Sequence, residues 1–190
     1  MAITINGSGT ITGISVGGLP NGIVDTDMIA DNAVTNAKAT GIAGGKILQV
    51  IQSEKTDGQE VTGTSYTDIS GMAATITPSA TTSKILVMAS FVIQKNNYAF
   101  YAQLLRGSTV IGNPTASQSA MRIYNNGSTS DNNEHSSFIY LDSPSTTSST
   151  TYKLQVRSNG ASHPYFNCGY ATRTTDYLST STFTLMEIAA

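Results

Sequence analysis

Chemistry in this chain would have to start from very few residues, because His135 and His163 are its only histidines and Cys168 its only cysteine. No Cys-centred signature surrounds Cys168, which lies in the apolar and aromatic stretch Pro164-Tyr165-Phe166-Asn167-Cys168-Gly169-Tyr170 and reads as a buried, inert thiol. His163 directly precedes Pro164, where an imidazole caps or faces water more often than it serves as a base, so serine or cysteine hydrolysis is not expected. Asp131, Glu134 and His135 stand close enough in sequence to hold a divalent cation, carboxylates suiting calcium and imidazole suiting zinc. The segment lacks EF-hand spacing and a second ligand set, and no metal is expected there. The remaining acids fall mostly in turns or near the N-terminus, and nothing in the sequence fixes two at the separation glycoside cleavage requires. No glycine-rich phosphate cradle with a Gly-Lys-Ser/Thr element is present. The reading is a protein that is not an enzyme and binds no cofactor. What remains for recognition is tyrosine, nine with no tryptophan, of which Tyr98, Tyr124, Tyr165 and Tyr177 fall near predicted strand ends.

Composition narrows the partners. Only 12% of residues are charged, the formal net charge is -2, and the ten Lys and Arg form no run, so nucleic acid is not an expected partner. The surface is kept in water by hydroxyls and amides, since Ser, Thr and Asn abound. The first residues, Met1-Ala2-Ile3-Thr4-Ile5-Asn6-Gly7, lack the basic and long apolar regions of a signal peptide. No segment reaches the roughly 18 apolar residues of a membrane span, and membrane insertion is not expected.

The elements that would position these residues come in three blocks. Residues 1–24 pair very short alternating β segments with glycine turns and have too little to bury alone. In residues 25–45, Ile29, Ala30, Ala33, Val34 and Ala37 recur at helical spacing behind Asp25, Thr26 and Asp27, which predicts a short amphipathic helix that Gly41, Gly44 and Gly45 then end. Its stripe of small residues suits close packing about a symmetry axis, with the chain's own globular domain as the alternative site.

Residues 46–190 read as strands. Tyr152, Leu154 and Val156 alternate with Lys153, Gln155 and Arg157, a half-buried strand. The run 85–93 is apolar almost throughout and predicts a strand buried on both faces, which in an antiparallel sandwich points to a subunit contact through Val87, Ala89 and Phe91. Residues 125–135 and 142–150 read as exposed polar loops. Eight or so strands with turns between them and no long helix predict an all-β, jelly-roll-like β-sandwich preceded by a short β and helical stalk.

The opening Met1-Ala2-Ile3-Thr4-Ile5-Asn6-Gly7-Ser8-Gly9-Thr10-Ile11-Thr12-Gly13-Ile14-Ser15-Val16-Gly17-Gly18-Leu19-Pro20, followed by Asp27-Met28-Ile29-Ala30-Asp31-Asn32-Ala33-Val34-Thr35-Asn36-Ala37-Lys38, resembles the start of tail-fibre and virion structural proteins of tailed phages of aquatic bacteria, cyanophages among them. The stretch from Gly45-Lys46-Ile47-Leu48-Gln49-Val50 to Phe183-Thr184-Leu185-Met186-Glu187-Ile188-Ala189-Ala190 is similar to their C-terminal head domains. The Asp-Asn-Ala-Val-Thr-x-Ala-Lys phrase, repeated in long fibres, occurs here once. The resemblance implies a homotrimer in the virion, assembled in the host cytoplasm, anchored by residues 1–24 to other tail or capsid proteins, with residues 25–45 as stalk and residues 46–190 as an adhesive head facing a host-surface glycan or protein. Trimer contacts would then fall on Ile29, Ala33, Val34, Ala37, Val87, Ala89 and Phe91, and receptor contacts on Tyr124, Asn126, Asp131, Glu134, His135 and Tyr177. The alternatives are a capsid or tail decoration protein without receptor binding, a small polysaccharide depolymerase, and a soluble trimeric binding module of the tumour-necrosis-factor-like kind.

Overall fold

The computed structural model describes residues 4–5, 11–12, 46–95, 99–115, 121–123, 132–160, 164–167 and 179–189. The chain divides into two compact units, Met1–Gly44 and Gly45–Ala190. In the first, β1 (Thr4–Ile5) and β2 (Ile11–Thr12) pair antiparallel, with Ile5 opposite Ile11. The helix expected over 25–40, with Ile29, Ala33, Val34 and Ala37, lies outside the described residues.

The second unit is built of β3 (Ile47–Lys55), β4 (Gln59–Glu60), β5 (Thr67–Ile76), β6 (Lys84–Lys95), β7 (Phe100–Arg106), β8 (Thr109–Ile111), β9 (Met121–Ile123), β10 (Asn132–Asp142), β11 (Thr150–Ser158), β12 (Tyr165–Phe166) and β13 (Ser181–Ile188). The pairings are nested like a long hairpin: β3 with β13, β4 with β12, β5 with β11, β6 with β10, and β7 with β8 at the tip. That hairpin is rolled up by two further antiparallel seams, β13 with β6 and β11 with β7. The result is two facing antiparallel sheets, β3-β13-β6-β10 with β12 and β4 attached, and β5-β11-β7-β8 with β9 attached. Nested pairing closed in this way is a jelly roll, a double-sheet solution to the exposed-edge problem.

Alternation along the strands builds the core. In β11, Tyr152, Leu154 and Val156 are buried, while Lys153, Gln155 and Arg157 lie half-buried on the outside, as their spacing predicts. From the other sheet, Ile85, Val87, Ala89, Phe91 and Ile93 point inward, and Phe91 stacks on Phe166 with ring centroids 5.2 Å apart. The two-residue turn Gly107-Ser108 joins β7 to β8. Gly107 adopts a φ of 59° there, and its N–H donates to the Thr151 carbonyl at 2.7 Å. In β5 the pairing with β11 jumps between Ala73 and Asp68, a bulge centred on Gly71 at φ 80°. A Cβ at Gly71 would come within 3.1 Å of the Glu54 carbonyl oxygen and the Lys55 Cβ, so both its conformation and its neighbours require glycine.

Two expectations need correction. The run 85–93 is not buried on both faces, since Leu86, Met88, Ser90 and Val92 remain only half-buried. Asp142 is not a loop residue: it ends β10 and is buried, with the exposed loop beginning at Ser143.

Candidate functional site

Val87, Ala89 and Phe91, expected at a subunit contact, are 0–2% exposed inside the chain's own core. A partner cannot reach them without opening the sandwich. The opposite row of β6 is the accessible one, because adjacent strand residues point to opposite faces. Register carries that row across the whole sheet. Leu86 lies opposite Leu141 on β10 and Met186 on β13, and Met186 lies opposite Val50 on β3. The next row reads Ile139, Met88, Thr184 and Gln52, and on the other side Ile188 lies opposite Ile47. Ile139 is 66% exposed, and Ile47, Leu48, Val50 and Leu141 are also exposed. The central row of this outer face is apolar across four strands, while the rows beside it mix Ile139, Met88, Ile188 and Ile47 with Thr184 and Gln52, and Lys84 and Glu54 are exposed at opposite margins.

The outer face of the second sheet has the opposite character. Arg157, Tyr101 and Arg122 form one cross-strand row over β11, β7 and β9. The Arg157 guanidinium sits 4.0 Å from the Tyr101 ring centroid and 5.2 Å from that of Tyr66, while Arg122 lies 5.8 Å from Tyr101. In the neighbouring row Gln103 Nε2 donates to Gln155 Oε1 at 2.9 Å, and Gln155 Nε2 donates to Asp68 Oδ1 at 2.7 Å. Lys153 Nζ pairs with Asp68 Oδ2 at 2.9 Å. The Lys153 ammonium, assisted by the Gln155 amide and opposed by slight desolvation, holds the Asp68 carboxyl below the ordinary carboxylate value.

Of the residues expected at a receptor, Glu134 and His135 fall in strand β10 rather than on a loop tip. As consecutive strand residues they face opposite sides and do not converge on one ion. His135 is exposed on the apolar side of the first sheet, its Nε2 2.9 Å from Ser90 Oγ. Tyr124, Asn126, Asp131 and Tyr177 lie outside the described residues, as do Tyr98, His163 and Cys168. Tyr165 is buried at 8% exposure. The reading that the chain has no nucleophile elbow is corrected by Gly13-Ile14-Ser15-Val16-Gly17, which has the spacing of one. An elbow needs a buried strand before it and a helix after it, whereas the strand described before this string is the two-residue β2.

Three polar groups that sequence reasoning missed hold the sandwich. Asp142 accepts hydrogen bonds from Tyr152 Oη at 2.6 Å and from Arg106 Nη1 at 2.8 and 3.0 Å, which joins β10 of one sheet to β7 and β11 of the other. Asn167, fully buried at φ 64°, donates through Nδ2 to the Lys55 carbonyl at 2.9 Å and accepts from Ser181 Oγ at 2.8 Å. Glu187, buried at the end of β13, accepts from the Ser79 hydroxyl and N–H at 2.6 and 2.7 Å and from Gln49 Nε2 at 2.5 Å. No short-range pattern marks them, apart from asparagine's tolerance of the left-handed region.

Burial pushes the Glu187 carboxyl up, but the hydroxyl of Ser79, with Ser83 nearby, the Gln49 amide and the Ser79 N–H outweigh it and hold the pKa at about 2. The ordinary value is 4.5. A carboxyl depressed by folding adds stability that is complete above its unfolded value and fades as the pH falls toward its folded one. Melting temperature is therefore expected to drop between pH 4.5 and pH 2. Glu187→Gln should be less stable at neutral pH by about 2 kcal/mol and lose part of that acid-limb dependence. Parallel melting curves for the two proteins check this, and identical slopes would sink it.

No protein-family model matches the chain, and no curated protein matches it. Among solved structures it is similar to that of infectious bursal disease virus, Gx strain, at 10% identity and a TM-score of 0.38, covering 74% of this chain and 39% of that one. It is also similar to that of the Gt strain of the same virus, at 14% identity and a TM-score of 0.39, covering 75% of this chain and 38% of that one. The chain thus spans less than two fifths of either neighbour.

Proposed function

We propose that this chain is a virion structural subunit, a homotrimeric phage tail fibre or spike whose jelly-roll head is adhesive and attaches to the host surface. The single observation that carries the reading is the outer face of the first sheet, with the row Leu141, Leu86, Met186 and Val50 at its centre. An antiparallel sheet with one face in the core normally turns polar residues to water on the other. Here strands about 4.8 Å apart and rows about 7 Å apart make the central row, with Ile139, Met88, Ile188 and Ile47 beside it, an apolar patch of roughly 300 Å2 in projection, a size that marks interaction sites.

A second copy of this chain is the occupant that fits. The centre of the face carries no charge, so bringing the centres of two copies together sets no like charges against one another. Its margins carry opposite charges, Lys84 and Glu54, which can meet between copies. Three copies turning this face toward a common axis would bury it, and the sequence resemblance to phage fibres supplies the number three. The resemblance also supports the attachment role. The Asp142 and Glu187 carboxylates are both committed to structural hydrogen bonds, which favours a binding protein over a polysaccharide depolymerase.

Light scattering on the purified chain tests the assembly. A native mass three times the 19.9 kDa of one chain is expected. A stable monomer would remove the trimer and favour a decoration protein whose apolar face is covered by another virion component.

A further inference from the structure

We infer that the outer face of the second sheet is a binding site for an acidic saccharide, with Arg157 as its central anion contact. This rests on the chemistry of one half-buried cation. The Arg157 guanidinium lies against two ring faces, those of Tyr101 and Tyr66, and among the described residues meets no hydrogen-bond acceptor and no carboxylate. Two other positive groups bordering the sheet are matched by carboxylates: Lys153 is paired to Asp68, and Arg106 to Asp142. A guanidinium offers five donors in a planar fork that suits a carboxylate or phosphate bidentately. Contact with the Tyr101 and Tyr66 rings restricts the guanidinium in advance, which lowers the entropy lost when an anion docks.

Arg122 adds a second positive charge on the far side of Tyr101, in the same cross-strand row. In the next row the amides of Gln155 and Gln103 are bonded to one another and to Asp68, which holds that part of the face rigid beside the cationic row. The face is a flat sheet surface on which successive strands repeat about every 4.8 Å. Such a surface suits an extended chain of rings that alternates hydroxyls with acid groups better than a compact ligand needing enclosure. Nucleic acid is disfavoured by the chain's net charge of -2, which leaves no broad positive field for a polyanion. The biological role of this site presupposes the attachment function proposed above; the binding itself does not.

The test uses the full chain and an oligoglucuronate, titrated calorimetrically beside a neutral glucose oligomer of equal length. Saturable binding of the acidic oligomer alone is expected, weakened at least tenfold in Arg157→Ala. Arg157→Lys keeps the charge but loses the fork and should fall between the two, and Thr147→Ala, in the exposed loop between β10 and β11, should leave the affinity unchanged. The proposal is overturned if the oligoglucuronate fails to bind, if the neutral oligomer binds equally, or if Arg157→Ala binds as the unaltered chain does. Tighter binding of a single-stranded oligonucleotide would equally overturn the saccharide class. Light scattering on the same samples separates the two proposals, because Arg157→Ala should leave the native mass as it was.

Discussion

Asp142→Ala is expected to lower the unfolding free energy by about 3–5 kcal/mol, the cost typical of removing one partner from a buried charged pair. The carboxylate accepts from Tyr152 Oη and twice from Arg106 Nη1, so its loss strands a fully buried hydroxyl and a guanidinium that is 30% exposed. Burial, reinforced by the neighbouring Asp142 charge and only partly opposed by Arg106, pushes the Tyr152 phenol well above its ordinary value. Tyr152 therefore stays a hydrogen-bond donor throughout the working pH range. Because Asp142 stands on one sheet and its two partners on the other, the defect opens the seam between layers. Asp142→Asn keeps the shape but not the charge and should fall in between, and Tyr152→Phe should cost only about 1–2 kcal/mol. Urea denaturation of the three variants measures these losses. A loss under about 1 kcal/mol for Asp142→Ala would show that the network is peripheral to the seam.

That residue also shows where the sequence stops being legible. Periodicity exposed the strands whose two faces differ in polarity: Tyr152, Leu154 and Val156 against Lys153, Gln155 and Arg157 needed nothing more than alternation. It could not place Asp142, because a carboxylate at the start of a serine- and threonine-rich stretch looks like any loop acid. Its partners stand 36 and 10 residues away and are brought to it by the rolled-up pairing. Nor does a continuous apolar run say which side meets what. Residues 85–93 read as a strand buried on both faces, whereas one face alone is buried, and that face, with Val87, Ala89 and Phe91, is the one the chain fills by itself. Telling the two faces apart requires knowing which sheet covers which, and that follows from the nested register rather than from hydropathy. The cationic row has the same origin, since Tyr101, Arg122 and Arg157 are scattered in sequence and become neighbours only when β9, β7 and β11 align.

The double variant Val50→Asp with Ile139→Asp is expected to reduce the native mass to that of one chain while the head keeps its β-sheet circular dichroism. Both side chains are more than half exposed, at 54% and 66%, so the charges are hydrated in an isolated head and leave the core intact. In an assembly that buries this face, each copy would instead take two carboxylates out of water with no cation at the centre of the face to meet them. That costs several kcal/mol per ion, repeated in every copy by symmetry. A neutral control, Val50→Thr with Ile139→Thr, trims apolar area without adding charge and should weaken the assembly rather than abolish it. If the aspartate variant kept the mass of the unaltered chain, the apolar face would not be the subunit contact. If it lost its β-sheet signal, the two positions would belong to the fold rather than the interface. The discriminating result is a folded monomer, because only a face that is dispensable to one chain and indispensable to several can give it.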